Sequence, residues 1–357
     1  MIYQHGGDIY SNRGIRMDFS VNLNPLGMPD FVRQAVISGA ADWERYPDPE
    51  CREFLGAACA HYGVRPCQAV AGNGAADLIF SLVRAKKPGK ACLFAPSFQE
   101  YEAALLAQGT EIVFFPLKAE NGFHPPLDEL LPFLEREKPE LLFLCNPANP
   151  SGDLFSGREL WQILKVCERN GIFAVVDECF LDFVERELAV SALEAVKQGQ
   201  THVFVLKALT KSFAMAGLRL GYAFCADEAL LEAIRRERQP WSVSAPALSA
   251  GLAAFGPERE AFLERTRELL FRERNRMVRG LLRAGFHVYP GTANFLLFQD
   301  VSGRPDGELY AHFLKNGILI RSCANFHGLS GTYYRVCVRT GEENEEFLRV
   351  LHRLRCA

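Results

Sequence analysis

The sequence predicts an α/β protein that has a mainly parallel sheet in a large domain and a smaller α+β domain after it. In the middle of the chain, short apolar runs alternate with longer amphipathic stretches, which is typical of a parallel sheet covered on both faces. After residue 240 the order changes, because helical stretches come first and short strand-like runs follow. The 357 residues also exceed what one hydrophobic core usually holds, so we expect two domains.

Composition and charge exclude several classes of protein. Hydrophobic residues make up 48% of the chain and charged residues 23%, which is the balance of a globular protein and not of a disordered one. The net charge is −3 and no basic run stands out, so a nucleic-acid partner is disfavoured. Because we find neither a bilayer-spanning apolar run nor a signal-peptide core, we expect a cytoplasmic protein with no membrane partner.

The eleven cysteines do not suggest a metal site or a redox pair. Their number is odd, they are scattered along the chain, and no two have the C-x-x-C spacing of zinc ribbons and redox motifs. Several of them lie in apolar, strand-like runs. We therefore expect reduced, buried thiols and no bound metal.

Apolar runs predict the strands of the large domain, and an amphipathic pattern predicts a helix among them. The predicted strands are Ala91–Ala95, Leu141–Cys145, Phe173–Val176, Val203–Leu206 and Tyr222–Cys225. Residues 157–170 have apolar side chains at helical spacing, and Gly171 follows as a stop signal. Ligands of such sheets bind at the carboxyl ends of the strands, so the residues that follow each strand are the candidates for a site.

The segment after Gln239-Pro240-Trp241 predicts the second domain. A helix-rich stretch from about Ala245 to Ala284 precedes strand-like and helical runs and a last charged helix. Those runs are Asn294–Phe298, Glu308–Lys315, Ile318–Ile320 and Tyr334–Val338. We therefore expect an N-terminal arm over residues 1–40, a large domain over 41–245 and a small domain over 246–357.

A small-residue turn and an Asn-Pro loop are the first two candidate binding elements. Gly72-Asn73-Gly74-Ala75-Ala76 precedes a predicted helix, and the N–H groups of a helix N-terminus can bind a phosphate, although a plain turn is the commoner meaning. Cys145-Asn146-Pro147-Ala148-Asn149 follows a buried strand, where the prolines would fix the direction of the Asn149 amide. An Asn-Pro turn without a ligand is the alternative.

The next candidates are a carboxylate at a strand end and a lysine in an apolar loop. Asp177 ends a predicted strand, so it is either a helix N-cap or the partner of a cationic or protonated group. Lys211 follows another predicted strand, and burial there would lower its pKa and free the amine to attack an aldehyde. Arg219, eight residues later, could bind a phosphate, whereas an isolated lysine is usually a solvated surface residue.

Taken in order, these four elements suit pyridoxal 5′-phosphate, which has a phosphate, a phenolic oxygen, a pyridinium nitrogen and an aldehyde. With this set of motifs the sequence resembles the fold-type-I pyridoxal-phosphate enzymes of the aspartate aminotransferase superfamily, in their class II-like branch. The resemblance implies a large domain with a mainly parallel seven-stranded sheet and a smaller α+β C-terminal domain.

Segments that flank these motifs narrow the resemblance. The sequence is similar along its whole length to the threonine-phosphate decarboxylases of cobalamin biosynthesis, whereas histidinol-phosphate aminotransferases share mainly the central motifs. The segments that carry this likeness are His5-Gly6-Gly7, Asp18-Phe19-Ser20-Val21-Asn22-Leu23-Asn24-Pro25, Glu44-Arg45-Tyr46-Pro47-Asp48, Gln239-Pro240-Trp241-Ser242-Val243 and Ile320-Arg321-Ser322-Cys323-Ala324-Asn325.

The resemblance also implies roles for single residues. Lys211 would bind the cofactor aldehyde covalently, and Asp177 would pair with the ring nitrogen. The ring oxygen would be bonded by Asn149, the ring stacked by Phe98, and the phosphate held by Gly74, Ala75, Thr210, Arg219 and, from a neighbouring subunit, Tyr46. His5, Asn22, Asn149, Arg321 and Arg339 would bind the substrate. The role of Tyr46 implies a homodimer with shared active sites.

The activity implied by the resemblance is decarboxylation of O-phospho-L-threonine to (R)-1-aminopropan-2-yl phosphate for cobalamin biosynthesis. O-phospho-L-serine is a close alternative substrate, because one methyl group changes binding by only about 1–3 kcal/mol. One alternative activity is that of a histidinol-phosphate-type aminotransferase. A non-catalytic binding protein that kept the fold is the other alternative, since a fold alone does not prove activity.

Overall fold

The structure is a computed structural model that describes residues 5–354. Its strands are β1 Met17–Asp18, β2 Ala69–Gly72, β3 Lys90–Ala95, β4 Glu111–Pro116, β5 Leu141–Cys145, β6 Phe173–Asp177, β7 Val203–Ala208, β8 Gly221–Cys225, β9 His287–Val288, β10 Phe295–Gln299, β11 Ile318–Leu319, β12 Arg321–Ser322 and β13 Tyr333–Cys337. Its α-helices are α1 Asp30–Ser38, α2 Arg52–Tyr62, α3 Ala75–Lys86, α4 Gln99–Gln108, α5 Leu127–Glu137, α6 Gly157–Asn170, α7 Leu193–Lys197, α8 Leu209–Ser212, α9 Glu228–Glu237, α10 Ala245–Ala253, α11 Arg259–Arg283, α12 Glu308–Lys315 and α13 Gly341–Arg353.

The large sheet has seven strands in the order β2-β8-β7-β6-β5-β3-β4. Strands β7, β6, β5, β3 and β4 are parallel, whereas β8 is antiparallel to both of its neighbours. Every residue of β5, β6 and β7 is buried, which is why these strands are apolar without alternation. The predicted α/β class and mainly parallel sheet are confirmed.

Most predicted elements appear close to their expected bounds. Strand β5 and helices α6 and α12 have the predicted limits, and α6 begins at a capping box formed by Ser156 and Glu159. Strands β6 and β7 run on to Asp177 and Ala208, one and two residues beyond the prediction. The longer strands place both residues at the edge of the sheet where ligands are expected.

Helices cover both faces of the sheet and create two cores. One face packs against α2, α5, α6 and α10, and the other packs against α3, α4 and α9. The small domain has an antiparallel sheet in the order β12-β13-β10-β9, with α11, α12 and α13 packed around a third core. Among residues 5–354, no helix is both long enough and apolar enough to cross a membrane.

The N-terminal segment packs onto the small domain. Strand β1 pairs in parallel with β11, where Met17 lies opposite Ile318, and the Phe19 ring lies 4.9 Å from that of Phe347. The segment predicted as an N-terminal arm therefore contains a short strand and, from Asp30, a regular helix. The boundaries predicted at residues 40 and 245 stay predictions.

Candidate active site

A cavity of about 270 Å³ opens at the carboxyl ends of the parallel strands, between the two domains. The last residues of β5, β6 and β7 line it, together with residues from loops of both domains and from the N-terminal segment. Those strand-end residues are Cys145, Asp177 and Ala208. This is the position at which the sequence analysis expected a ligand.

Lys211 extends into this cavity from the short helix α8, which follows β7 directly. Its carbonyl oxygen accepts a hydrogen bond of 3.0 Å from the Asn24 N–H, so the N-terminal segment helps to fix the backbone. Burial, together with the nearby guanidinium of Arg335, lowers the pKa of Lys211 to about 8. The neutral, nucleophilic amine is therefore more abundant near neutral pH than in an ordinary lysine, while the ammonium form still predominates.

Asp177 lines the cavity from the end of β6 and is held by two donors. The Cys179 N–H donates to Oδ1 at 3.0 Å, and the Tyr101 hydroxyl donates to Oδ2 at 2.6 Å. Burial raises the pKa of Asp177, while these two hydrogen bonds oppose the rise. The carboxylate does not cap an α-helix, so the alternative that the sequence left open is wrong for this residue.

Asn149 and Arg335 line the cavity and connect the large domain to the small domain. A guanidinium N–H of Arg335 donates to the Asn149 side-chain oxygen, and Nη2 donates to the Ser20 carbonyl at 2.9 Å. Burial lowers the pKa of Arg335 to about 10, and its Nε has no hydrogen-bond partner among the described residues. An orphaned donor in a buried guanidinium suggests an anionic ligand.

The turn before α3 forms a cradle at one end of the cavity. A Cβ on Gly74 would lie 2.3 Å from an Nη of Arg219, and the positive φ of +85° also favours glycine here. Ala75, Thr210 and Arg219 line the cavity, whereas Gly74 does not line it and lies beside the Arg219 guanidinium. Helix N–H groups, a hydroxyl and a guanidinium are the donor set that a phosphate group requires. These residues therefore fit the predicted cofactor phosphate.

Four other candidate residues also line the cavity. They are His5, Asn22, Phe98 and Arg321. Asn22 is buried and its Oδ1 has no hydrogen-bond partner within residues 5–354, so it is available to a ligand. Arg321 donates to Asn325 Oδ1 at 2.8 Å and keeps its guanidinium over the Phe326 ring. His5 is half exposed and its Nε2 lies 3.1 Å from Glu100 Oε1, so it also ties the N-terminal segment to α4.

The structure does not bring Arg339 into the cavity. Its Nε donates to Glu343 Oε1 at 2.8 Å and its Nη1 to the Asp18 carbonyl at 2.9 Å, because it follows the end of β13 and lies beside the first turn of α13. Arg335, in the middle of β13, lines the cavity instead. The predicted position of Arg339 is therefore wrong.

Tyr46 also lies outside the cavity of its own chain. Its side chain is 81% exposed, and its ring packs against Trp241 at 4.8 Å between centroids. The predicted contact is with the cofactor phosphate of a neighbouring subunit. That contact stays a prediction.

Sequence reasoning missed Arg335 and Tyr101, although each had a detectable signal. Arg335 is a charged residue inside an apolar strand, where an arginine needs a buried partner or a ligand. Tyr101 lies three residues after Phe98, so both lie on one side of the first turn of α4.

Comparisons with known proteins agree with this architecture. Residues 15–351 match the family model described as aminotransferase class I and II. A threonine-phosphate decarboxylase of Salmonella typhimurium is 38% identical over 97% of this chain and 95% of its own length. A histidinol-phosphate aminotransferase of Anaeromyxobacter is 32% identical over 93% of this chain and 89% of its own length. A solved decarboxylase structure from Sulfurospirillum multivorans superposes with a TM-score of 0.86 at 26% identity, covering 96% of this chain and 89% of the other.

Proposed function

The chain belongs to the family of class I and II aminotransferases, and we propose that it is a decarboxylase of O-phospho-L-threonine. Its fold is that of the fold-type-I pyridoxal-phosphate enzymes, and its cofactor is pyridoxal 5′-phosphate. The proposed products are carbon dioxide and (R)-1-aminopropan-2-yl phosphate, for cobalamin biosynthesis. The similar length and 38% identity of the threonine-phosphate decarboxylase support this proposal.

The charge of the cavity is the observation that carries the proposal. Three of the lining side chains are arginines, Arg219, Arg321 and Arg335, whereas Asp177 is the one carboxylate among the described lining residues. Arg219 belongs to the cradle for the cofactor phosphate. Two guanidinium groups remain for the substrate, which matches an amino acid that carries both a phosphate and a carboxylate.

The cofactor, when bound, supplies an electron sink for the pair released from a bond at the substrate Cα. Asp177 would face the ring nitrogen, Asn149 the ring oxygen, and Phe98 one face of the ring. Arg321 and Arg335 would fix the rotation of the substrate, so that the bond to the carboxylate stands perpendicular to the ring plane. Lys211 would then deliver a proton to the substrate Cα after carbon dioxide leaves.

The second candidate function is that of a histidinol-phosphate-type aminotransferase. The 32% identity of the Anaeromyxobacter enzyme favours it, because that relative also matches most of the chain. Histidinol phosphate carries a phosphate but no carboxylate, whereas the keto acid of the other half-reaction carries carboxylates, so an aminotransferase would also use both guanidinium groups. The higher identity to the threonine-phosphate decarboxylase, 38% against 32%, favours the decarboxylase.

Release of carbon dioxide tests the choice between these functions. We expect the holoenzyme to release carbon dioxide from O-phospho-L-threonine without any keto-acid acceptor, and more slowly or equally fast from O-phospho-L-serine. Formation of glutamate from histidinol phosphate and 2-oxoglutarate, with no carbon dioxide from either phosphoamino acid, would identify the aminotransferase instead. A protein that binds the cofactor and catalyses neither reaction would be the non-catalytic alternative.

We also propose a homodimer with shared active sites, in which Tyr46 contacts the cofactor phosphate of the other subunit. The support is an exposed aromatic pair, Tyr46 and Trp241, which is unusual on a surface that faces only water. Light scattering should give the mass of two chains at micromolar concentration, and Tyr46→Phe should weaken cofactor binding. A fully active monomer would contradict this assembly.

A further inference from the structure

Tyr101 contacts the candidate cofactor site through Asp177 and does not itself line the cavity of that site. Its side chain is 1% exposed, and its hydroxyl donates to Asp177 Oδ2 at 2.6 Å. The thiol of Cys145 lies beside the same hydroxyl. Asp177 therefore has one carboxylate oxygen bonded to the protein core, while the carboxylate also borders the cavity.

The ring of Tyr101 is fixed by its neighbours. It stacks on Phe143 of β5, with centroids 4.6 Å apart and an interplanar angle of 13°. It also meets the Phe98 ring edge to face at 5.4 Å. Tyr101 thus contacts both the carboxylate proposed to face the ring nitrogen and the aromatic residue proposed to stack on the ring.

We propose that Tyr101 is a positioning residue that holds Asp177 in the orientation and charge state required by the cofactor ring nitrogen. This inference rests on the role of Asp177 given in the proposed function. Nothing in the decarboxylase or aminotransferase chemistry requires the hydroxyl to touch a substrate, so its effect passes through Asp177.

Two physical effects support this role. A charge-assisted hydrogen bond favours the ionised carboxylate, which burial alone disfavours. The second donor, the Cys179 N–H, bonds the other oxygen at 3.0 Å, so the two donors together fix the rotation of the carboxylate. Without the tyrosine hydroxyl, the carboxylate would rotate more freely and would take up a proton more readily.

The test is cofactor affinity in Tyr101→Phe, which removes only the hydroxyl and keeps the stacked ring. We expect the dissociation constant of pyridoxal 5′-phosphate, measured by titrating the apoprotein, to rise about tenfold. Tyr222→Phe is the matched control, because Tyr222 is equally buried and loses a hydrogen bond of 3.1 Å to Tyr62 away from Asp177. We expect the control to change the constant by less than about twofold.

A second measurement separates positioning from a merely structural role. The pH midpoint of the visible absorbance of the bound cofactor should rise in Tyr101→Phe, because a less firmly held positive charge on the ring nitrogen raises proton affinity elsewhere in the conjugated system. Tyr222→Phe should leave that midpoint unchanged. A Tyr101→Phe protein that matches Tyr222→Phe in both affinity and midpoint would overturn the proposal.

Asp177→Asn completes a double-mutant cycle. We expect it to weaken cofactor binding, and we expect Tyr101→Phe to add less than about a twofold change in the Asp177→Asn protein. If the two effects are fully additive, Tyr101 does not act through Asp177 and the positioning role is wrong. If Asp177→Asn alone leaves the affinity unchanged, the role of Asp177 in the proposed function is wrong as well.

Discussion

The two halves of the cavity are built in different ways. The cofactor half takes Asp177 from the last position of β6, and Asn149 and Lys211 from the segments that follow β5 and β7, which are the neighbours of β6 in the sheet. The substrate half takes His5 and Asn22 from the N-terminal segment and Arg321 and Arg335 from the small domain. The Arg335 bond to the Ser20 carbonyl joins residues that are 315 positions apart in the chain.

This difference shows which residues of a site are brought together by the strand order of a sheet, and which are not. In a parallel sheet, residues that end neighbouring strands must lie at the same edge, so the cofactor half follows from local motifs. The substrate half depends instead on contacts between distant segments, such as the pairing of β1 with β11, which joins the N-terminal segment to the small domain. Substitutions in the two halves should therefore affect different steps.

The largest effect should come from Lys211→Ala in the cofactor half. Loss of the lysine removes both the covalent attachment of the cofactor and the proton donor, and the proton transfer alone contributes about 10²–10⁴-fold in rate. We expect turnover to fall by at least that amount, and borohydride reduction should no longer fix the cofactor to the chain. Mass spectrometry of the reduced protein measures the attachment.

The exposed Lys165 provides the control for this experiment. Lys165→Ala should retain wild-type turnover and wild-type attachment of the cofactor. Attachment to a different lysine in the Lys211→Ala protein would show that Lys211 is not the residue that binds the aldehyde.

The sequence predicted the cofactor half of the site more accurately than the substrate half, for physical reasons. Asp177 and the loop that carries Asn149 each come directly after an apolar run, so their places at the strand ends can be predicted from the local sequence alone. Whether Arg335 or Arg339 reaches the cavity depends on where β13 ends and α13 begins, because the arginine beside the helix pairs with Glu343. Helix and strand ends are the least certain part of a sequence-based prediction.

The fold, like the site, was predicted best where the signal is local. The apolar strands β5, β6 and β7 were visible as continuous hydrophobic runs. Strand β4 was missed, since it lies at the edge of the sheet, only one of its six residues is buried, and its pattern is less distinctive. The pairing of β1 with β11 could not be predicted, because it depends on tertiary packing and not on a local motif.

The second prediction compares Arg335 with Arg339. Arg335→Lys keeps a positive charge in the substrate half but loses the fork that can bind two oxygens, so kcat/KM should fall about 10–100-fold, as expected for a hydrogen bond to a charged group. Arg339→Lys should leave kcat/KM within about twofold, since Arg339 pairs with Glu343 at the partly exposed start of α13. Steady-state kinetics of both proteins would measure the two losses in kcat/KM. A larger loss in Arg339→Lys than in Arg335→Lys would show that Arg339 binds the substrate after all.

The third prediction concerns the choice of the bond that breaks. Arg321→Lys should loosen the substrate phosphate, and we expect decarboxylation about tenfold slower, with a larger fraction of abortive transamination. Chromatography of the released cofactor would detect that fraction as pyridoxamine phosphate. Wild-type rate and KM in Arg321→Lys would mean that other groups, Arg335 first among them, select the bond.

The smallest effect should come from His124, which supports the cofactor half from outside the cavity. Its Nδ1 lies 2.8 Å from Asp153 Oδ2 and its Nε2 3.1 Å from Glu159 Oε1, so one imidazolium ties the loop that follows Asn149 to the start of α6. The hydrogen bond to Asp153, opposed by desolvation and supported by Glu159, raises the pKa of His124 to about 9. The two ion pairs are therefore present at neutral pH.

The sign of the pH dependence follows from this raised pKa. The stabilisation is complete below the pKa of about 6.5 that histidine has in the unfolded chain, and it is lost as the pH rises through about 9. Because the imidazole is 31% exposed, solvent screening limits the contribution to about 1 kcal/mol. We expect His124→Gln to lower the melting temperature of the apoprotein near pH 6 and to flatten its decline towards about pH 9, whereas the exposed His287→Gln should do neither. Equal pH profiles of the melting temperature for wild type and His124→Gln would show that the ion pairs do not stabilise the loop. Cofactor affinity in the same two proteins would show whether the position of Asn149 depends on the ion pairs.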